Sequence, residues 1–537
     1  MTETRTADIL ARRLADAGCR HAFGMPGGEV LTLLDAFEAA GLAFHLVRHE
    51  NAGGFMAEGV HHRDGAPGVL LATVGPGALN AVNVAENARQ DRVPLILVTG
   101  CVDADEAQRY THQVLDQRAV FGAVCKASFT LTAGAAEVIA DKALAIATEG
   151  QPGPVHIDVP VGVADAPAKA APGLRRRDTL PLAPAPGPGW EAARAALSKA
   201  RRPLIVAGVD AVNQAAGPEL RAAVERLGAP LVTTYKGKGL LPEDHPLALG
   251  GAGLSPLADR HLLPLVREAD VVVLAGYDPI EMRPGWQDAV DPEAQMVIDI
   301  SAVPNSHYMH QGSVNLQGSL GPTLTALTEG AGLSDGWGAR IAETKAALAR
   351  AFAPEADWGP SVVIDTCRRV LPPGTLASAD SGAHRILLSQ MWRCEAPRGL
   401  VQSSGLCTMG CAVPLAIGMA LAEPARPVIS FSGDAGLMMV AGELATAAEL
   451  GVRPIFLVFA DRSLALIEKK QRERQLGNAG VDFAGTDFAA LARSMGGAGR
   501  SVRNADELEA ALTEALEAPT FTLIAAEIDR RAYDGRI

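Results

Sequence analysis

One stretch, Ser430-Phe431-Ser432-Gly433-Asp434-Ala435-Gly436, constrains this chain more than any other. It follows the apolar run Pro427-Val428-Ile429 and precedes a helical pattern from Leu437 to Leu450. That is strand, glycine-rich turn, helix, which presents backbone N–H groups and a positive helix end to an anion. A carboxylate beside a phosphate site makes sense when a cation lies between them, and Mg²⁺ commonly bridges carboxylates to phosphates. The next strand, Pro454 to Phe459, leads to Asp461 and Ser463, with Asp461 27 residues beyond Asp434. That spacing is one strand–helix–strand unit. Both acids therefore fall at the C-terminal ends of neighbouring parallel strands, where open α/β sheets bind ligands.

At 537 residues the chain is too long for one core. A composition 48% hydrophobic and 20% charged belongs to a soluble α/β protein rather than a disordered one. The net charge of −13 argues against nucleic acid as a partner. The seven cysteines are scattered and form no CxxC pair, which predicts reduced core residues in a cytoplasmic protein. No apolar run reaches membrane-spanning length, and the N-terminus does not read as a signal peptide.

Strands and helices alternate along the chain. Residues 1–165 form a first unit. In it a strand ends in Pro26-Gly27-Gly28, another delivers His49-Glu50, and a buried strand runs into Gly75-Pro76-Gly77-Ala78-Leu79-Asn80. The small residues Ala52-Gly53-Gly54, and the helix after Gly77, suit close approach of another helix. A Pro/Ala-rich linker is predicted over 166–189. Residues 190–330 read as a Rossmann-like domain, residues 331–359 as a second loose joint, and 360–537 as a last α/β domain. Lys236 and Lys238 fit either an approach to the active site or solvated surface positions.

Gly433-Asp434-Ala435, followed by one βαβ unit and an oxygen-bearing residue, resembles the thiamine-diphosphate signature. The flanking pieces, with Ser404 to Gly410 and Val98-Thr99-Gly100, resemble the large catalytic subunits of the acetolactate synthase group over nearly the whole chain. The resemblance implies three doubly wound parallel-sheet domains: pyrimidine-binding, central, and diphosphate-binding. It implies thiamine diphosphate and Mg²⁺ as cofactors, the metal held by Asp434, Asp461 and the Ser463 carbonyl. Gly382, His384, Cys407, Met409, Gly433, Ala435 and Gly436 then line the cofactor. Glu50 is the acid that activates it by bonding the pyrimidine ring, and Met409 is the wedge that keeps it bent. Gly28, His112, Gln113, Leu466, Ile467 and Lys470 line the substrate pocket.

Several positions depart from that group. Asp461 stands where the wider family has Asn, Cys407 where it has Gly, His112 where acetolactate synthases have Phe, and Lys470 where they have Trp. Gly276 stands where they have Arg. Ile467 is apolar, where pyruvate decarboxylases place a Glu. The implied reaction is decarboxylation of a 2-oxo acid with carboligation to a second carbonyl compound. Alternatives are a 2-oxo acid decarboxylase or 2-hydroxyacyl lyase for a larger or more polar substrate, a flavin-linked oxidase, and a catalytically silent binding module. Intact Glu50, Met409 and Asp434 speak against the last. No GxGxxG with a ribose-binding acid occurs, so FAD is not indicated. The resemblance also implies a homodimer or dimer of dimers that shares its sites between subunits, with Ala52-Gly53-Gly54 and the helix after Gly77 as candidates for the interface.

Overall fold

The computed structural model describes residues 4–168 and 180–537. Residues 169–179, the centre of the expected 166–189 linker, lie outside the described residues. Three six-stranded sheets account for the architecture, and every pairing within them is parallel.

The first sheet holds β1 (His21–Met25), β2 (Ala43–Leu46), β3 (Gly68–Ala72), β4 (Leu95–Cys101), β5 (Ala127–Thr130) and β6 (Pro154–Pro160), in the order β2-β1-β3-β4-β6-β5. The central sheet holds β7 (Pro203–Ala207), β8 (Leu231–Thr234), β9 (Ala248–Ala252), β10 (Val271–Ala275), β11 (Met296–Ser301) and β12 (Val314–Gln317), in the order β12-β11-β10-β7-β8-β9. This is the Rossmann order, with its switch point between β7 and β10. The last sheet holds β13 (Leu376–Ala379), β14 (Leu400–Gln402), β15 (Val428–Gly433), β16 (Ile455–Ala460), β17 (Ala498–Val502) and β18 (Thr522–Glu527), in the order β14-β13-β15-β16-β18-β17. Its order repeats that of the first sheet strand for strand. The buried strands are continuous apolar runs such as Val69-Leu70-Leu71, as expected where helices cover both faces.

The repeat has a packing consequence. The helix Glu50–Asp64 follows β2, and the helix Ala412–Ala422 follows β14, so the two are topological equivalents. They pack against each other along their length. Glycines let the backbones meet: a Cβ on Gly59 would stand 2.4 Å from the Leu415 carbonyl oxygen. Close approach of helices needs small residues at the crossing.

Three expectations are corrected here. Gly53 and Gly54, suited by sequence to an intersubunit contact, face their own chain; a Cβ on Gly54 would meet Val84 at 2.4 Å. The stretch 331–359 is no loose joint: it carries the helix Arg340–Ala351, with Trp337, Ile341, Leu348 and Phe352 buried. The Trp337 indole N–H donates to the Pro203 carbonyl at 2.8 Å and ties the segment to β7. The helical pattern Leu437–Leu450 is two helices, Asp434–Met439 and Glu443–Glu449. The break lies where Arg48 packs on Gly442, and Glu443 then accepts the Arg48 backbone N–H at 3.0 Å.

No disulfide joins the seven cysteines; five are buried, while Cys101 and Cys407, expected in the core, are half-buried. Among the described residues no helix is long and apolar enough to cross a membrane.

Candidate active site

β15 and β16 are neighbours, with Gly433 opposite Phe459. Asp434 opens the helix after β15, and Asp461 follows β16 directly. Asp434 is buried and accepts two backbone N–H groups, Ala435 at 2.8 Å and Arg462 at 2.7 Å. Asp461 accepts the Ser463 N–H at 3.0 Å. Burial first, then the charge of Asp434, pushes Asp461 up to about 8; burial also raises Asp434. Two acids this close, both raised by burial, coexist as anions beside a cation. Among the described residues no group of three or more His, Cys, Asp or Glu is placed to hold a metal. The protein therefore offers this pair plus main-chain oxygen, a set that suits a hard cation drawing further oxygen ligands from a phosphate.

Ser463 is buried, and its hydroxyl donates to Asp482 at 2.9 Å, which Arg530 also engages. The segment around Phe483, Gly485 and Thr486 thereby closes over Asp434 and Arg462, leaving a cleft of about 50 Å³. Much larger cavities, about 950 and 870 Å³, lie at domain junctions around Lys345 and around His61, away from these acids.

His384 is also buried, and its Nε2 lies 3.0 Å from Asp380 Oδ1. The other Asp380 oxygen accepts the Gly410 N–H at 2.7 Å. Gly436 packs on the same carboxylate, where a Cβ would stand 1.9 Å from Oδ2. The ring of His384 covers Gly382, and a Cβ on Gly433 would come within 3.7 Å of it. Asp380 thus joins His384, Gly410 and Gly436, and brings Gly382, Gly433 and the Met409 loop to one place. Only the position of Asp380 at a strand's carboxyl end signalled it.

Tyr533 had no sequence signal. It comes from the C-terminal segment and packs on Ala383 and Ala465. Burial, then the charges of Asp461 and Asp434, push its phenol well up.

Cys407 is half-buried, with φ of +56°, the left-handed region that favours glycine. Cys407 stands where the resemblance expects glycine and takes a backbone conformation that glycine adopts freely. Arg385 donates to the Cys407 sulfur at 3.2 Å. Met409 is half-buried two residues on.

Glu50 is buried in the first domain at the start of its helix. Asn80 donates to its Oε2 at 2.9 Å, and a Cβ on Gly77 would stand 3.0 Å from Oε1. The Gly75 N–H is held by Gln117 at 2.8 Å, and Gln117 is fixed in turn by Asp158 at 2.6 Å. Gly28, His112 and Gln113 are exposed on this domain, with Tyr110 edge-on to His112. Leu466, Ile467 and Lys470 lie on the helix Ala465–Glu473 of the last domain, with Ile467 and Lys470 exposed. No hydrogen bond, ion pair or ring contact among the described residues joins these two groups.

The two lysines left open by sequence are not surface groups. Lys238 is buried and pairs with Glu243 at 2.6 Å; Lys236 pairs with the buried Asp91 at 3.1 Å.

Family models match the chain in three successive parts. Residues 4–120 match the thiamine pyrophosphate enzyme N-terminal TPP binding domain, residues 190–327 its central domain, and residues 380–526 its C-terminal TPP binding domain. The acetolactate synthase of Bacillus subtilis is 27% identical, over 98% of this chain and 94% of that protein. A probable 2-ketoarginine decarboxylase of Pseudomonas aeruginosa is 31% identical, over 97% and 94%. The acetolactate synthase isozyme 1 large subunit of Escherichia coli is 29% identical, over 97% and 94%. With three domain matches in order and relatives aligned from end to end, the chain belongs to the thiamine pyrophosphate enzyme family and is acetolactate synthase-like.

Proposed function

We propose that this enzyme decarboxylates a 2-oxo acid and joins the remaining fragment to a second carbonyl compound, using thiamine diphosphate and Mg²⁺. The observation that carries the reading is the pair Asp434 and Asp461 at the ends of adjacent strands, beside the turn that begins at Gly433. When bound, thiamine diphosphate supplies the carbon nucleophile and the electron sink for loss of CO₂. Asp434, Asp461 and the Ser463 carbonyl hold the cation that neutralises the diphosphate. His384, fixed by Asp380, lies against Gly433 on the same side. Glu50, shielded from water and oriented by Asn80, exchanges the activating proton at the pyrimidine ring. Ile467 would place no acid at the pocket to protonate the decarboxylated fragment, leaving a second carbonyl compound as its acceptor.

The helix Pro76–Asn80, whose Asn80 holds Glu50, and the helix that opens at Asp434 leave large apolar side chains in solvent: Leu79 on the first, Met438 and Met439 on the second. These faces suit a partner subunit, so the site is read as shared across a homodimer, or a dimer of dimers. Co-expressing Glu50→Gln with Asp434→Ala tests the sharing. A mixed dimer has one site with both lesions and one with neither, and regains about half of the activity; no recovery in verified mixed dimers assigns each site to one chain.

A second reading, decarboxylation of a larger or more polar 2-oxo acid, is favoured by His112 and Lys470 and by the 31% identity to the probable 2-ketoarginine decarboxylase. A panel of 2-oxo acids, each with and without an added aldehyde or ketone, tests the reading. Thiamine diphosphate-dependent CO₂ release from at least one acid supports it, and none from any acid overturns it.

A further inference from the structure

The stretch from Gln402 to Gly410 carries Cys407 and Met409 and links β14 to the helix Ala412–Ala422, with no helix or strand of its own between them. All three domains of the chain hold it. The main grip comes from the helix Val82–Asp91 of the first domain. Asn83, Asn87 and Asp91 recur every four residues and so share one face of that helix. The Thr408 hydroxyl donates to Asn83 at 3.2 Å. The Ser403 hydroxyl donates to Asn87 at 2.6 Å and accepts the Thr408 N–H at 2.9 Å. Asp91 accepts the Gly405 N–H at 2.9 Å and the Ser404 N–H at 3.2 Å.

The central domain contributes Lys236, which pairs with Asp91 at 3.1 Å and donates to the Gln402 carbonyl at 3.4 Å. Arg385, from the last domain, reaches the Ser403 carbonyl and the Cys407 sulfur. The Asn87 amide is itself oriented by donating to Glu58 at 3.1 Å.

This arrangement is costly unless complete. Asp91 is a fully buried carboxylate, tolerated because a lysine and backbone N–H groups satisfy it. Cys407 is held at positive φ, which persists only when its surroundings over-determine the backbone. What the grip fixes is the position of Met409, two residues beyond that strained point. A displacement of about 1 Å at a positioning group lowers a rate by about 10²-fold.

We propose that Asn87 and Asp91 are positioning residues for the reaction, holding the Ser403–Met409 loop so that Met409 keeps the bound cofactor in its reactive geometry. This rests on the proposed role of Met409.

The test uses full-length Asn87→Ala, Asp91→Asn, Ser403→Ala and the Asn87→Ala/Ser403→Ala double variant. Three quantities are read: thiamine diphosphate affinity by calorimetry, thermal midpoint, and exchange of the thiazolium carbon proton at saturating cofactor and Mg²⁺. Exchange is expected to fall at least about tenfold in each single variant, while affinity changes less than about threefold. The double variant should fall little further than either parent, because both lesions break one contact. Ser403→Ala removes a single oxygen, so it reports even if Asn87→Ala does not fold. Wild-type exchange at saturating cofactor in folded Ser403→Ala and Asp91→Asn overturns the proposal. If the wild-type protein does not accelerate exchange over free cofactor, the functional reading itself fails, a distinct outcome.

Discussion

Gly418 lies directly on the backbone of Met56: a Cβ there would stand 2.0 Å from the Met56 carbonyl oxygen. The contact joins the helix that follows the Met409 loop to the helix that begins at Glu50. A methyl group must push the two helices apart. Gly418→Ala should therefore destabilise the chain by about 1–3 kcal/mol, read as a lower denaturation midpoint. An unchanged midpoint would show that the two helices are not so closely packed.

Asp434→Ala should abolish retention of thiamine diphosphate with Mg²⁺, measured by calorimetry. Asp461→Asn should keep binding, because an amide oxygen still ligates Mg²⁺ and the acid that burial and the charge of Asp434 push up is removed. Unchanged cofactor binding in Asp434→Ala would remove it from the metal site.

Glu50→Gln should bind cofactor normally but exchange the thiazolium carbon proton about 10²- to 10⁴-fold more slowly. Near-normal exchange by NMR would exclude Glu50 from activation.

Burial raises Glu58 from its ordinary 4.5 to about 7, against the opposing pull of Lys236 and Asn87. A carboxylic acid raised on folding stabilises the fold while protonated. Its contribution is full below about pH 4.5, falls as pH rises towards 7, and is gone above that. Glu58→Gln removes this dependence while keeping an acceptor for Asn87. Relative to the variant, the wild type should lose about 3 kcal/mol between pH 4.5 and 7.5. Parallel stability–pH curves would contradict this.

The sheets were readable because their strands are short, continuous apolar runs punctuated by Gly and Pro, such as Gly68 to Ala72 and Pro203 to Ala207. The acids at strand ends were readable for the same reason, since alternation of strand and helix places Asp434 and Asp461 on one edge. Arg340–Ala351 was missed because Gly and Pro flank it, although Trp337, Ile341, Leu348 and Phe352 already carry a helical spacing. The break at Gly442 was missed because Arg48, which packs there, is nearly four hundred residues away in sequence. Asp91 and Gly405 are separated by 314 residues, so nothing local to either announces their hydrogen bond. Tyr533 reaches the acids from a short, polar C-terminal segment whose local pattern specifies no docking site.

The most direct measurement counts CO₂ and carbon products in one reaction, with a turned-over 2-oxo acid and its carbonyl acceptor. Carboligation predicts one carbon–carbon-bonded 2-hydroxy ketone or 2-hydroxy-3-oxo acid product per CO₂ released, with free aldehyde near zero. Free aldehyde equal to CO₂, with no joined product for any acceptor, would contradict it.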